Sequence, residues 1–298
     1  MGKVSLYKVA LFGVHGWEYE YQCKVDLLLC QEELQDIIRE MVRPYVLITG
    51  GSSGIGFELS RLFAREGNPL LIIAKDKKKL EIAYKRLKKE FPSSTVKTIL
   101  KDLSRPESAQ EIYEITQSKK ILVGTLINNA GFANRGQFLE IAVEKEREQM
   151  YLNMVTLTLL TKLFLPDMVK RKKGKILNVS STAAFQPGPL MAVYYASKAY
   201  VLSFSEGLSI ELQGTGVTVT ALCPGPTRTN FELRAGMQNT LLFKMGVMDA
   251  RTVAEIGYQA LMEGKRVAIP GMKNKFFAFV RRFLPRDITA RVAHWLQR

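Results

Sequence analysis

Short apolar runs alternate with longer helical stretches from Tyr45 nearly to the end of the chain, and this alternation is the strongest constraint on the fold. Several runs are apolar throughout, which is typical of strands covered on both faces. Candidate strands are Tyr45–Thr49, Pro69–Ala74, Val96–Lys101, Leu122–Asn128, Lys175–Val179, Val217–Cys223 and Arg266–Ile269. Candidate helices include Gly56–Arg65, Lys78–Lys89, Glu107–Ser118, Tyr194–Gln213 and Ala250–Glu263. The pattern predicts an α/β fold, a Rossmann-type doubly wound parallel sheet of about seven strands with helices on both faces.

The domain organisation follows from the absence of any repeat, low-complexity tract or Pro/Gly linker in the sequence. Residues 44–298 are therefore expected to form a single domain, and residues 1–43 an N-terminal extension whose role the sequence does not show. Within the extension, Lys24–Met41 has the apolar spacing of an amphipathic helix.

The net charge of +15 calls for an acidic partner, which could be nucleic acid, a membrane surface or a phosphorylated small molecule. No nucleic-acid-binding signature accompanies the charge, so nucleic acid is not expected. Two distant histidines, His15 and His294, and three cysteines without metal-ligand spacing predict no metal site. No apolar run approaches the roughly 18 residues of a membrane span, and no secretory signal is recognisable, so a cytoplasmic protein is expected.

A glycine-rich stretch, Thr49-Gly50-Gly51-Ser52-Ser53-Gly54-Ile55-Gly56, lies between the first predicted strand of the domain and its helix. Glycines let the backbone turn tightly and approach a pyrophosphate, which the positive N-terminal end of a helix attracts. Residues expected to bind the dinucleotide here are Gly50, Ser52, Ser53, Gly54, Ile55 and Gly56. A purely structural turn is the alternative. The position between strand and helix favours dinucleotide binding.

The end of the second predicted strand of the domain bears on the choice between NAD and NADP. An acidic residue there usually binds the ribose 2′-hydroxyl of NAD, whereas a cation suits the 2′-phosphate of NADP. Lys75 occupies this position and favours NADP(H) over NAD(H). The alternative is a solvated lysine run that opens a helix, and the neighbouring Asp76 leaves it open.

The segment Tyr194-Tyr195-Ala196-Ser197-Lys198 places Tyr194 and Lys198 on one face of a helix. A nearby ammonium is expected to lower the pKa of Tyr194, whose phenol could then act as an acid or base near neutral pH. Ser181, at the end of a predicted strand, could hold a substrate oxygen while charge develops on it. The YxxxK pattern alone is equally typical of a surface helix. Its combination with the serine and the glycine turn indicates a catalytic site.

At this point the chain resembles the short-chain dehydrogenase/reductase family, from about Tyr45 to the C-terminus. The matching elements are the glycine turn, Asp102-Leu103, Asn128-Asn129-Ala130-Gly131, Asn153, Ser181, Tyr194-x-x-x-Lys198 and Pro224-Gly225-Pro226-Thr227-Arg228-Thr229. Similarity is greatest to bacterial steroid-dehydrogenase-like and ketoacyl-reductase-like members, through Phe204–Leu208, Cys223–Thr229, Ile269-Pro270-Gly271, Asn274-Lys275 and Leu284-Pro285-Arg286.

The resemblance implies a role for each matching residue. Tyr194 would donate the proton, Ser181 would position the carbonyl, Lys198 would stabilise the phenolate and bind ribose, and Asn153 would hold a water linking Lys198 to solvent. Asp102 and Leu103 would contact adenine, and Asn129, Ala130 and Gly131 would shape the adenosine side. Pro224, Gly225, Thr227 and Thr229 would hold the nicotinamide amide. Asn129 could instead brace the sheet, and Asp102 could begin a turn. Dimers or tetramers built from the helices around Asn153 and Tyr194 are also implied.

The sequence after Thr229 predicts how substrate is bound. The segment 230–248 contains Phe231, Leu233, Met237, Leu241, Leu242, Phe243, Met245 and Met248. Such side chains suit a lid over an apolar or lipid-like ketone, aldehyde or 3-oxoacyl group, although a surface helix burying its own apolar face would share this pattern.

The tail, residues 265–298, carries nine Lys/Arg and one acidic residue among many aromatics. These aromatics are expected to pack on the domain with the cations in water, and peripheral contact with an anionic membrane is the alternative.

The expected activity is NADP(H)-dependent reduction of a carbonyl to an alcohol. Two alternatives stay open at this point. One is an NAD-linked hydroxy-lipid dehydrogenase that works in the oxidative direction, and the other is a dinucleotide-sensing protein that has kept the fold without turnover.

Overall fold

The computed structural model describes residues 11–12, 18–19, 43–229, 231, 235–238, 240–241 and 246–297. Backbone contacts divide the chain into two units, residues 1–43 and 44–298. In the first unit, strands β1 (Leu11–Phe12) and β2 (Glu18–Tyr19) pair antiparallel. The helix predicted at Lys24–Met41 lies outside the described residues.

The second unit is built on a seven-stranded sheet in which all pairs of neighbours are parallel. Its strands are β3 (Tyr45–Thr49), β4 (Leu70–Ala74), β5 (Val96–Leu100), β6 (Val123–Asn128), β7 (Gly174–Val179), β8 (Val217–Leu222) and β11 (Val267–Ala268). The two short strands β9 (Thr227–Arg228) and β10 (Met248–Asp249) pair with each other outside this sheet. The spatial order is β11-β8-β7-β6-β3-β4-β5, which confirms the predicted doubly wound sheet.

Helices cover both faces of the sheet. They are α1 (Gly54–Arg65), α2 (Lys77–Glu90), α3 (Ser108–Ser118), α4 (Val143–Met150), α5 (Leu157–Lys170), α6 (Ala192–Glu211), α7 (Ala250–Met262), α8 (Met272–Val280) and α9 (Arg286–Leu296). Successive residues of β3 explain the two layers, because Leu47 packs with α3 and α5 while Ile48 packs with α1, α2 and α7. Both side chains are fully buried, and each such burial stabilises the fold by roughly 1.5–3 kcal/mol.

The helix spanning Val143–Lys170 was not among the predicted candidates. It runs through α4, a π-helical segment (Tyr151–Thr156) and α5. Its first two turns are strongly charged and its second half is apolar, so it shows no single amphipathic period. In the described part of the chain it is the one helix long and apolar enough to cross a bilayer. However, Leu160, Phe164 and Met168 bury its inner face in the domain core.

The strand order reverses between β3 and β6, which lie side by side although they are not consecutive in the sequence. The chain therefore leaves the carboxyl ends of these two strands in opposite directions. A crevice forms at such a point in open α/β sheets, and ligands bind there.

Candidate active site

A cavity of about 730 Å³ lies at the carboxyl ends of the strands. Its walls come from the residues after β3, β4, β5, β6, β7 and β8, the ends of strands that the fold brings to one edge. The predicted site residues on its surface are Gly50, Ser52, Ser53, Gly54, Ile55, Lys75, Asp102, Leu103, Asn129, Ala130, Gly131, Ser181, Tyr194, Lys198, Pro224, Gly225, Thr227 and Thr229. Gly56 and Asn153 do not line it. The predicted residues therefore converge on one cavity, with these two behind its wall.

The glycine turn is shaped by backbone conformations that other residues rarely adopt. Gly50 has φ 65° and Gly54 has φ 55°, both in the left-handed region. An ideal Cβ on Gly56 would lie 2.5 Å from the Gly50 carbonyl oxygen and 2.4 Å from Asn129 Nδ2. Gly56 thus lets α1 start directly against the turn, with the helix N-terminus at the cavity. This cradle fits a pyrophosphate.

The turn is braced by Thr49, the last residue of β3, and by Asn129, which directly follows the neighbouring strand β6. Thr49 Oγ1 accepts hydrogen bonds from the backbone N–H groups of Asn129 and Ala130, each at 3.0 Å. Asn129 Nδ2 donates to the carbonyl oxygens of Thr49 at 2.9 Å and Gly50 at 3.2 Å. The bracing alternative for Asn129 is therefore realised in its side chain, although the residue also lines the cavity. Thr49 was not predicted as a site residue, although its place between a strand and the first glycine marks it.

Lysines and aspartates meet at the ends of β4 and β5. Lys75 Nζ lies 3.7 Å from Asp102 Oδ2, and both side chains are half-exposed on the cavity wall. Asp102 Oδ1 accepts from the backbone and hydroxyl of Ser104, which makes the turn that the sequence left as an alternative. Burial tends to raise the pKa of Asp102, but the Ser104 hydrogen bonds and Lys75 outweigh burial and lower it. Asp76 caps α2 by accepting from the Lys79 N–H. Asp102 therefore stays anionic beside Lys75.

Tyr194, Lys198 and Ser181 meet at the ends of β7 and α6. Tyr194 and Lys198 are both buried, with Lys198 Nζ 5.7 Å from the centroid of the tyrosine ring. Ser181 lies close enough to Tyr194 to lower the pKa of its phenol, while Ser181 Oγ accepts from the Ala183 N–H at 3.1 Å and donates to the Pro224 carbonyl oxygen at 3.4 Å. Lys198 Nζ donates to the Val179 carbonyl oxygen at 2.8 Å. These contacts bring the three predicted catalytic side chains into one group.

The pKa of Tyr194 corrects one expectation from the sequence. Burial raises this pKa above the ordinary phenol value, and the Ser181 hydrogen bond opposes the rise without reversing it. The expected lowering by Lys198 was wrong for this arrangement, because desolvation of the phenolate outweighs the ammonium near the ring. Burial also lowers the pKa of Lys198 to about 8. Tyr194 is therefore held in its proton-bearing form, next to a lysine that titrates near neutral pH.

Buried polar contacts fix α6 against β7, and sequence reasoning missed them. Asn178 Nδ2 donates to Ser205 Oγ at 2.9 Å, and Ser180 Oγ donates to the Lys198 carbonyl oxygen at 2.8 Å. Asn128 Nδ2 in turn donates to Asn178 Oδ1 at 2.9 Å. Polar residues inside apolar strands are the signal that could have identified this network.

Asn153 lies in the π-helical segment and is almost fully buried. Its Oδ1 accepts from the Phe132 N–H at 3.2 Å, and its Nδ2 donates to the Phe132 carbonyl oxygen at 3.0 Å and to Ser197 Oγ at 3.1 Å. Asn153 thereby links the loop after β6 to α6. Its expected role in holding a water for Lys198 stays a prediction.

The end of the cavity next to Tyr194 has an apolar wall. Phe231 packs on Tyr194 with ring centroids 5.5 Å apart, and Met237 is buried in the same cluster. Both side chains line the cavity, as the predicted lid requires. Met248, by contrast, belongs to β10 and packs against the main core. Leu233, Leu242, Phe243 and Met245 lie outside the described residues.

The C-terminal tail contacts this apolar end, but not through its aromatics. Gln297 is fully buried, and its Nε2 donates to the Tyr195 hydroxyl at 2.8 Å. Arg281 lines the cavity and donates to the Thr182 carbonyl oxygen at 3.3 Å. The expectation that the tail aromatics pack on the domain was wrong, because Phe276, Phe279 and Phe283 are exposed while small residues face inward. No local pattern pointed to Arg281, which is far from Thr182 in sequence.

Known proteins that are similar to this chain are short-chain dehydrogenases. The family model described as short chain dehydrogenase matches residues 44–240. The chain is 31% identical over 227 residues to the 17-beta-hydroxysteroid dehydrogenase type 3 of Mus musculus, covering 75% of this chain and 70% of that protein.

Two solved structures are also similar. A short-chain dehydrogenase from Sphingobium yanoikuyae in complex with NADPH is 34% identical with TM-score 0.72, covering 80% of this chain and 93% of that one. A bulky-bulky ketone specific alcohol dehydrogenase from Comamonas testosteroni is 30% identical with TM-score 0.69, covering 80% and 91%.

Proposed function

The chain belongs to the short-chain dehydrogenase family and is an oxidoreductase acting on CH–OH or C=O groups with a nicotinamide dinucleotide, and from this premise we propose that it uses NADPH to reduce an apolar ketone, aldehyde or 3-oxoacyl group to the alcohol. The observation that carries the proposal is the grouping of Ser181 with the buried Tyr194 and Lys198 on the cavity wall. Tyr194 carries its proton at neutral pH, as the proton donor of a reduction must, although burial makes it a weaker acid than an ordinary phenol.

The residues that line the cavity suit each part of a dinucleotide, from the adenine to the nicotinamide. The glycine turn would hold the pyrophosphate, Asp102 and Leu103 the adenine, and Pro224, Gly225, Thr227 and Thr229 the nicotinamide amide. Asn129, Ala130 and Gly131 line the wall between these two ends. NADPH held by these residues would supply the hydride. Lys198 would bind the ribose with its ammonium.

The proton path then follows from the protein's own groups. The Ser181 hydroxyl, which lies close enough to affect the pKa of Tyr194, holds the substrate oxygen next to the phenol. As negative charge develops on that oxygen, Tyr194 donates its proton, and the nearby Lys198 ammonium stabilises the phenolate left behind. The low exposure of both side chains strengthens this electrostatic contribution.

Replacing Tyr194 with Phe tests the assignment. The variant removes the proton donor while it keeps the ring that packs on Phe231. We expect kcat/KM with NADPH and an apolar ketone to fall by about 10²–10⁴, while NADPH binding measured by fluorescence changes little.

Tyr200→Phe is the matched control, because Tyr200 lies on the same helix with an exposed hydroxyl that contacts Thr158. It is expected to keep full activity. Retained activity in Tyr194→Phe, or equal losses in both variants, would refute the role given to Tyr194.

The preference for NADPH over NADH rests on Lys75 at the end of β4. Its ammonium lies at the cavity wall and is only partly neutralised by Asp102, at 3.7 Å across a half-exposed contact. If a 2′-phosphate bound beside it, Lys75 would gain a doubly charged partner that attracts its ammonium more strongly than Asp102 does. The NADPH complex of the similar Sphingobium enzyme supports this choice.

Lys75→Asp is expected to raise the KM for NADPH about tenfold or more, since a lost charge-assisted contact is worth roughly 1.5–3 kcal/mol. The KM for NADH is expected to stay level or fall. Lys78→Asp, an exposed lysine three residues on that does not line the cavity, is the control and is expected to change neither value. A wild-type enzyme that uses NADH as well as NADPH would contradict the proposed preference.

An apolar, bulky substrate suits the end of the cavity beyond Tyr194. Phe231 and Met237 form its wall there, and a flexible methionine adapts to varied shapes. The ketone specificity stated for the Comamonas enzyme supports the same substrate class.

We also propose that the protein forms a homodimer or homotetramer through the helices around Asn153 and Tyr194. Outward-facing apolar side chains on these helices support the contact, namely Met150, Val155, Leu159 and Tyr200. Burial of such residues between subunits would remove apolar surface from water.

The exposed aromatic side of the tail supports peripheral contact with an anionic membrane. Its apolar residues are Met272, Phe276, Phe277, Phe279, Phe283, Leu284, Ile288, Val292 and Trp295. Exposed cations accompany them, namely Lys273, Lys275, Arg282, Arg286 and Arg291. We call these two sets together the tail patch. A second copy of the same patch would bring like charges together, whereas an anionic bilayer matches both the charge and the aromatics.

A further inference from the structure

The cations on the cavity wall differ in whether they have an acidic partner. Four of the lysines pair with carboxylates in the described part of the chain: Lys75 with Asp102, Lys79 with Asp76, Lys101 with Glu111 and Lys145 with Glu148. Lys198 has no such partner, but it is the lysine that serves Tyr194. Arg281 is the remaining cavity cation, and among the described residues no carboxylate forms an ion pair with it.

The surroundings of Arg281 place it at the substrate end of the cavity. Its Nη1 donates to the carbonyl oxygen of Thr182, the residue directly after Ser181. Tyr195, which also lines the cavity, is near enough to interact with it electrostatically. The phosphate-binding turn and Lys75 are built from other strand ends. Arg281 therefore stands beside the group that holds the reacting carbonyl.

The Thr182 contact leaves most of the guanidinium unused. An arginine side chain carries five N–H donors in a planar fork, and a neutral carbonyl oxygen does not compensate its charge. Burial lowers the pKa of Arg281, which shows that the charge is partly removed from water, but an arginine stays protonated at physiological pH. A partly buried cation without a counter-ion is costly, and the cost is relieved when an anion binds beside it.

We infer that Arg281 binds a carboxylate of the substrate, so that the enzyme acts on amphipathic oxo acids that carry a carbonyl, an apolar chain and one carboxylate. The inference rests on the proposed reductase function and narrows its substrate class. A carboxylate matches the planar fork of the guanidinium with two parallel hydrogen bonds and brings a single negative charge to a single cation. The apolar chain would lie against Phe231 and Met237, which line the same end of the cavity.

Binding of decanoate and of decanamide to the NADP⁺-loaded protein, measured by calorimetry, tests this without any turnover. The two probes share one chain and differ in charge. The wild type is expected to bind decanoate at least about tenfold more tightly, as a charge-assisted hydrogen-bonded pair requires. Arg281→Gln is expected to abolish this preference and to leave decanamide binding unchanged, while Arg281→Lys keeps part of it.

Arg266→Gln is the matched control, because this exposed arginine carries the same charge, does not line the cavity and lies outside the tail patch. It is expected to keep the full preference. Equal binding of the two probes by the wild type, or binding of neither, overturns the inference even if a variant fails to fold. A preference retained in Arg281→Gln, or lost equally in Arg266→Gln, overturns it as well. A failure here leaves the reductase proposal intact, since Tyr194→Phe tests that with a neutral ketone.

Discussion

At the scale of single residues, desolvation decides the protonation of the proposed catalytic residues. Tyr194 and Lys198 lie in the same buried pocket, and burial disfavours the charged form of each. The phenol therefore keeps its proton more firmly, and the ammonium loses its proton more readily. Reduction needs both groups protonated. The raised pKa of Tyr194 keeps the phenol protonated, whereas the lowered pKa of Lys198 makes the ammonium lose its proton at a lower pH. Lys198 has the lower of the two pKa values, so its titration sets the upper pH limit.

We expect kcat/KM for NADPH to be level up to about pH 8 and to fall by about tenfold per unit above it, as Lys198 loses its proton. The sign follows from the direction of the shift, since a lowered pKa removes the ammonium earlier than in an exposed lysine. The measurement is the pH profile of initial rates at a fixed ketone concentration. Lys198→Arg is the comparison, because arginine stays charged, and its residual activity should show no fall near pH 8. A wild-type plateau extending to pH 10 would contradict the assignment.

The proposed catalytic residues could be singled out from the sequence because their spacing is local and their motifs are specific. Ser181, Tyr194 and Lys198 lie close together in the chain, and Lys75 follows directly from the strand pattern. Arg281 and Gln297 could not be predicted, since they reach the site from a distant segment by tertiary packing. The pKa of Tyr194 was misjudged for the same reason, because its burial is a property of the assembled domain and not of the YxxxK pattern.

At the scale of elements, the junction of β3, the glycine turn and α1 depends on contacts that leave no room for a side chain. Gly56→Ala would place a Cβ against the Gly50 carbonyl and the Asn129 amide, the two groups that hold the turn. We expect the free energy of unfolding to fall by about 1–3 kcal/mol, as in other overpacked sites, and NADPH binding to weaken. Chemical denaturation and a cofactor titration measure both effects.

Gly207→Ala provides the opposite case within α6. A Cβ there meets nothing within 4 Å, so the substitution is expected to stabilise the protein by about 0.5–1 kcal/mol through helix propensity. If both alanine variants were stabilising, the close packing assigned to Gly56 would be wrong.

Strands and helices could be predicted where one hydrophobic pattern continues through the whole element. This explains which elements were found from the sequence and which were missed. Strands β3 and β4 are buried on both faces and read as apolar runs, so each begins and ends within one residue of the prediction. The helix from Val143 to Lys170 changes from charged to apolar partway and contains a π-helical segment, so no single pattern marks it. Asn153 was found through its motif even though the helix that carries it was not.

At the scale of the whole molecule, the net charge of +15 and the tail patch both favour an anionic membrane as a partner. The tail reaches the substrate end of the cavity through Arg281 and Gln297, while its aromatics point outward. An amphipathic substrate held in a bilayer would therefore meet the enzyme beside the cavity that accepts it. Each basic side chain near an anionic surface contributes about 1 kcal/mol, and inserted phenylalanines add the burial of their rings.

Sedimentation with vesicles of phosphatidylcholine and phosphatidylserine tests this arrangement on the full chain. The wild type is expected to pellet with the anionic vesicles, less so in high salt, and not with phosphatidylcholine alone. Joint replacement of Phe276, Phe279 and Phe283 with Ser is expected to reduce the bound fraction at least tenfold, because these exposed rings supply the insertion. All three side chains are exposed, so the fold should be kept.

The control for that experiment removes comparable apolar surface elsewhere on the domain. Phe138, Leu139 and Val143 are 63%, 95% and 70% exposed, and they lie outside the tail. Their joint replacement with Ser should leave vesicle binding unchanged if the tail patch is the membrane contact. Equal losses in the two triple variants would instead indicate a general effect of surface hydrophobicity, and a wild type that stays in the supernatant would leave the tail patch without the proposed bilayer partner.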